Sequence, residues 1–246
     1  MFSDFVKFTL FRVESETKMN TKKRKAVLDD GCSPELVSGA EFDGIFEIPI
    51  IRKPDRIIVP KMIVPFSQRD KVPPSEDIAI GFHEMDPEFA EVLISPTEYV
   101  SDFGKYGAVI TPDCSLYRCA PLAVQITNVY RNRAIGHYYQ RRGLYVIPQI
   151  RWGSEETYTT KVLPEKVAFL GAPKHSVLAV GTYGCIQHRD DKYHFKAGLE
   201  AMLETLEPDT VLVYGSMPEA VFGDYLHTTR FVQYDDWTTA RHGGGN

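Results

Sequence analysis

No apolar run in this chain approaches the roughly 18–20 residues that a membrane-spanning helix requires, which argues against a transmembrane helix. The opening Met1-Phe-Ser-Asp-Phe-Val-Lys-Phe-Thr-Leu lacks a basic stretch followed by an uncharged apolar one, so a signal peptide is not expected. Cysteine is scarce. Cys32, Cys114, Cys119 and Cys185 are scattered and come without an export signal, so reduced thiols in a cytoplasm are the expectation. Cys114 and Cys119 have a spacing near that of some zinc ligand pairs, but no second pair stands opposite them, and no metal is assigned. Positive charge is not in excess either. A formal net charge of −5 argues against a surface that coats nucleic acid. Neither a Gly-x-Gly-x-x-Gly fingerprint nor a P-loop lysine is present, no internal repeat is evident, and no motif names a cofactor.

What is present is an ordinary globular composition, 43% hydrophobic and 25% charged, enough to bury a core of useful size. Residues 1–30 read as a disordered basic tail. Met19 is followed by the run Lys22-Lys-Arg-Lys25, which suggests translation from Met19. Lys22, Lys23, Arg24 and Lys25 form either a solvated arm or a contact for nucleic acid or an acidic partner. Residues 31–76 interleave β-branched residues with prolines, including Pro49, Pro54, Pro60, Pro65, Pro73 and Pro74. Proline is barred from central strands, so this segment is expected to be an extended strap on the main domain with at most edge strands.

From residue 77 to 237 the pattern changes to short apolar runs alternating with helical stretches. Strands are expected at 78–82, 107–111, 144–150, 177–180, 211–214 and 231–234. Helices are expected from Asp86, where Asp-Pro starts a turn, and over 121–142, closed by Gly143. Two more are expected over 192–206 and 218–225, with residues 238–246 as a flexible tail. Continuous apolar strands separated by helices imply an α/β domain. Its sheet is expected to be mainly parallel, either open and doubly wound or an incomplete barrel.

In such folds sites lie beyond the carboxyl ends of the strands. Those ends carry His83 and Glu84, Asp113 and Ser115, Arg151 and Trp152, Thr182 and Tyr183, Gly215 and Ser216, Asp235 and Asp236. The helix over 121–142 adds Arg131, Asn132 and Arg133, with Leu122, Ile126, Val129 and Tyr130 on one face. At 100° per residue Arg133 falls within that apolar stripe, while Arg131 points away. A buried guanidinium requires a partner, and Asp113 is the nearest carboxylate in sequence. Either the two form a structural clamp at the strand–helix junction, or Arg133 and backbone amides bind a carboxylate or phosphate.

Two function classes follow. One is an enzyme or binder of an anionic ligand. Asp113 would be its acid/base or orienter, Ser115 a donor, Arg133 and Arg151 anion clamps, Trp152 a stacking wall, and Thr182 part of a phosphate-binding turn Gly181-Thr-Tyr-Gly184. The other is a non-catalytic accessory protein that contacts a host protein or nucleic acid through the basic arm and the Arg131 face. His188 and His194 are six residues apart, which does not place them on one helical face, and they read as a solvated loop.

Several motifs also resemble a known family. Pro112-Asp-Cys-Ser-Leu-Tyr, Asn128-Val-Tyr-Arg-Asn-Arg-Ala-Ile-Gly, Val146-Ile-Pro-Gln-Ile-Arg-Trp, Val180-Gly-Thr-Tyr-Gly and Val211-Leu-Val-Tyr-Gly are similar to those of domain of unknown function 4417. That uncharacterised family occurs in bacteria, phages and mobile elements. The resemblance spans about residues 40–235. Cys114 stands where the pattern usually has an aromatic, and Thr127 where it often has tryptophan. It implies a phage or mobile-element origin and a bacterial cytoplasm, and carries no activity with it.

Overall fold

The computed structural model describes residues 33–243. A two-strand hairpin, β1 (Phe42–Asp43) and β2 (Ile48–Pro49), precedes two parallel sheets. The first sheet is β3 (Met62–Pro65), β4 (Ile78–Gly81), β5 (Ala108–Ile110) and β6 (Val146–Ile147). The second is β7 (Val177–Gly181), β8 (Thr210–Tyr214) and β9 (Arg230–Tyr234). Both are ordered as the chain runs. A parallel bridge between Gln149 and Ala179 joins them. Seven strands thus follow one another without the reversal that a doubly wound sheet requires.

The helices are α1 (Ala90–Ile94), α2 (Val100–Phe103), α3 (Leu122–Arg141), α4 (Glu155–Tyr158), α5 (Arg189–Leu206), α6 (Glu219–Phe222) and α7 (Trp237–Gly243). Side chains alternate across each strand, and both faces are buried. Ile78 and Ile80 face the helical layer over the first sheet, and Leu178, Val180, Val211 and Val213 face that over the second. The opposite face pools Ile63, Ala79, Ile110, Ile147, Ala179, Leu212 and Tyr234, one or more from every strand, without a helical residue among them. Strands that bury one face against each other form a curled sheet. The Tyr234 hydroxyl donates to the Pro60 carbonyl at 2.6 Å across the seam. Among the described residues no ladder pairs β9 with β3, so the barrel is incomplete.

Several expectations shift in detail. The segment expected as a strap contributes β3 as an edge strand of the main sheet. The strand expected over 144–150 shrinks to Val146–Ile147 because Pro148 has no N–H to donate. The segment from Asp86 begins as a 3₁₀ turn before α1. The end expected as a flexible tail begins with α7. The basic run Lys22–Lys25 and the alternative start at Met19 lie outside the described residues.

Candidate functional site at the carboxyl ends of the strands

The loops after β4, β5, β6 and β7 converge. Asp113, 3% exposed, receives a two-pronged bond from Arg151: Nε to Oδ1 at 2.6 Å and Nη2 to Oδ2 at 2.5 Å. The remaining terminal nitrogen, Nη1, lies 3.3 Å from Cys185 Sγ. Burial alone would raise the Asp113 carboxyl, but the Arg151 charge and hydrogen bonds, with His83 nearby, outweigh it and hold the pKa below its ordinary value. The same pairing raises Arg151 further, against its own burial.

His83 sits at the barrel mouth, stacked on Tyr214 with ring centroids 4.6 Å apart and planes 12° from parallel. Its Nε2 is 3.0 Å from Gln149 Oε1. A carbonyl oxygen only accepts, so Nε2 carries the proton and Nδ1 is left as a bare acceptor. Burial lowers the His83 pKa, only partly offset by Asp113 and the Gln149 bond. Glycine is needed opposite: a Cβ on Gly181 would come within 2.7 Å of His83 Cδ2. Two buried atoms here, His83 Nδ1 and Gln149 Nε2, have no hydrogen-bond partner.

Beside this cluster opens a cleft of about 210 Å³, lined by Gln149, Arg151, Trp152, Gly181, Cys185 and His194 among others. Trp152 forms a wall. It is held against α5 at Gly198, where a Cβ would lie 2.1 Å from the indole nitrogen. No group of three or more His, Cys, Asp and Glu suited to a metal ion occurs among the described residues.

The site expectations divide. Asp113, Arg151 and Trp152 come together at the cleft. Arg133 does not. It is 2% exposed, but its partners are the carbonyls of Leu170 (3.0 Å), Gln149 (3.0 Å) and Ala168 (3.1 Å), together with Asn132 Oδ1. The expected pairing with Asp113 is therefore replaced by backbone acceptors, which satisfy a guanidinium fork without a carboxylate. Burial pulls the Arg133 pKa down to about 10, only partly offset by Cys114 and by the more distant Asp43.

Asn132 is committed too, donating to Pro112 O at 2.7 Å and accepting from Thr111 Oγ1 at 3.0 Å. Ser115 belongs to a separate knot, its hydroxyl donating to Asp86 Oδ1 at 2.6 Å. Thr182 ties the β7 and β8 loops together by donating to Ser216 O at 2.8 Å. Arg131, expected on the far face, is half-buried and reaches Asn128 Oδ1 at 3.4 Å.

The orientation of α3 explains these corrections. Its buried face includes Gln125, Asn128 and Asn132, not an unbroken apolar stripe. Their amides donate in turn to the carbonyls of Ala120 (2.8 Å), Ser115 (2.7 Å) and Pro112 (2.7 Å). The loop between β5 and α3 is bolted down by this amide series, whose spacing of three and four residues is helical. Cys114, within that loop, has its thiol pKa pushed far up by burial, then by Asp86 and Asp113, which disfavours the thiolate.

The cleft residues that the sequence did not single out for a site are Gln149, Cys185 and His194, with His83 noted only as a strand end. Gln149 carries no charge, and its place just beyond a strand end was the one available signal.

Comparison with known proteins gives kinship without an activity. The family described as domain of unknown function (DUF4417) matches residues 40–235. "Gene 1 protein" of Mycobacterium phage L5 is 29% identical over 207 residues, covering 81% of this chain and 86% of that protein. "Gene 1 protein" of Mycobacterium phage D29 is 32% identical over 139 residues, 56% of this chain and 49% of that one. No solved structure matches. The chain belongs to the DUF4417 family, as its central motifs imply, and these relatives are phage proteins.

Proposed function

We propose that this member of the DUF4417 family binds a small anionic ligand, phosphate- or carboxylate-bearing, in the cleft at the carboxyl ends of its strands. The observation that carries the reading is the state of Arg151. Asp113 fixes two of its nitrogens, and the third is turned toward Cys185 at the cleft wall, without a second carboxylate. An arginine pre-positioned in this way loses little freedom on meeting an oxyanion. Asp113 is then the orienter of the clamp, not an acid or base, and Trp152 is the wall. Arg133 and Asn132 hold the loops from behind, and Ser115 and Thr182 shape them. No reaction is needed to account for the arrangement.

The test is thermal unfolding of the full chain against inorganic phosphate, pyrophosphate and citrate. An anion present at about a hundred times its Kd adds roughly 2.7 kcal/mol, a shift of several degrees. Arg151→Lys, which keeps a cation beside Asp113 but removes the fork, is expected to abolish the shift. Unchanged midpoints for wild-type protein across all three anions overturn the proposal.

A further inference from the structure

We infer that the ligand carries, besides its anionic group, a flat carbonyl-bearing ring of the nucleobase class. The inference rests on the anion-site reading and adds the ring to it. It starts from charge. Asp113 neutralises Arg151, and Asp191 neutralises Arg118 at 2.8 Å, so these four charges around the cleft balance. An anion here is held by directed donors and not by a net field, so a tighter ligand adds contact elsewhere on the molecule.

The cleft offers that contact. Ile150 and Leu116 line it together with Trp152 and Phe195, whose ring centroids are 4.9 Å apart at 52°. Such a corner presents an aromatic face and edge to a flat guest, and base–aromatic stacking does not depend on net charge. The polar component is Gln149. It is 1% exposed, and its Oε1 is committed to His83, while Nε2 faces Asp113 closely enough to help lower that carboxyl but makes no hydrogen bond of good geometry. A buried amide donor without an acceptor is costly, and a ring carbonyl would satisfy it. Uracil, thymine and guanine have such a group; adenine does not. At about 210 Å³ the cleft is below the usual range for drug-sized ligands, with room for a base and part of its sugar phosphate and not for a chain.

The experiment is isothermal titration of the full chain with uridine 5′-monophosphate, adenosine 5′-monophosphate, ribose 5-phosphate and uridine. Uridine 5′-monophosphate is expected to bind about tenfold more tightly than either ribose 5-phosphate or the adenosine nucleotide. Phe195→Leu keeps apolar volume but removes the ring, and is expected to shrink that advantage. Gln149→Glu keeps the acceptor for His83 and removes the donor. It should erase the preference for uracil over adenine, with folding checked by the thermal midpoint.

Equal affinity for uridine 5′-monophosphate and ribose 5-phosphate overturns the ring inference and leaves the anion reading standing. Equal affinity for the two nucleotides overturns the carbonyl assignment. Uridine binding as tightly as its phosphate supports the ring and overturns the anion reading. No binding by any of the four overturns the ring inference, and the phosphate, pyrophosphate and citrate titration then decides the anion reading separately.

Discussion

Two arginines about eighteen residues apart in sequence, Arg133 buried and Arg151 half-buried, meet opposite fates. Arg133, deep between α3 and the loops, has three carbonyls and a side-chain amide around it. Arg151 has a carboxylate and opens on a cleft where Gln149 Nε2 is unpaired. Both charges are drawn out of bulk water, Arg133 fully and Arg151 in part, and that alone does not say which one serves a ligand. Completeness of pairing does. A saturated cluster is architecture, whereas one with an open donor next to a cavity has capacity left for a guest.

The largest effect is expected on the saturated side. Arg133→Met leaves the Leu170 and Ala168 carbonyls without donors and Gln149 O with only the long bond from Asn132, and should cost about 4 kcal/mol or more, read as a fall in the denaturant midpoint. If the loss is below about 1 kcal/mol, the cluster is not the brace described here. Asp113→Asn comes next. It strips Arg151 of its counter-charge and is expected to cost about 3 kcal/mol at neutral pH.

That penalty has a pH signature. The Asp113 carboxyl lies below its ordinary 3.8 in the folded state, so the stabilisation is present above that value. It is lost as pH falls through the folded pKa. Stability of the wild type should therefore fall more steeply than that of the variant below about pH 4.

His83 gives a gentler contrast. Its folded pKa is depressed below 6.5, so the unfolded chain takes up a proton first as pH falls. Stability is expected to decline below about pH 6.5 by up to roughly 1.4 kcal/mol per pH unit, and His83→Asn should flatten that slope. A slope unchanged in the variant would assign the titration elsewhere. The smallest effect is expected at the cleft rim. Asp191 accepts from the His188 backbone N–H at 3.1 Å and pairs with Arg118. Asp191→Ala should cost only about 0.5–1 kcal/mol in thermal unfolding.

Much of the frame is legible in the residues. Short apolar runs punctuated by helices announce the parallel sheet, and the polar ends of those runs already include His83, Asp113, Arg151 and Trp152. The pairing among them is not legible. Asp113 and Arg151 are 38 positions apart and meet only because β5 and β6 are neighbours. Nearness in sequence pointed to Arg133 instead, since backbone carbonyls, the acceptors it uses, are present at every position and leave no pattern. The buried face of α3 misled for a similar reason. Helical periodicity of apolar residues marks a face that meets other side chains, and this face meets loop carbonyls through Gln125, Asn128 and Asn132. The choice between an open sheet and a barrel also had to wait for the order of the strands.

That strand order also bears on how the molecule is made. Each strand of the first sheet pairs with the one that precedes it in the chain, and the second sheet is built the same way. As the polypeptide leaves the ribosome, every new strand finds the edge it needs already waiting, and the sheet can lengthen in step with synthesis. The exception is the hydroxyl of Tyr234 on the Pro60 carbonyl, which links positions 174 residues apart. That closure has to wait until nearly the whole chain has emerged, making the seam a late event in folding and the natural place for the unfinished molecule to be caught open.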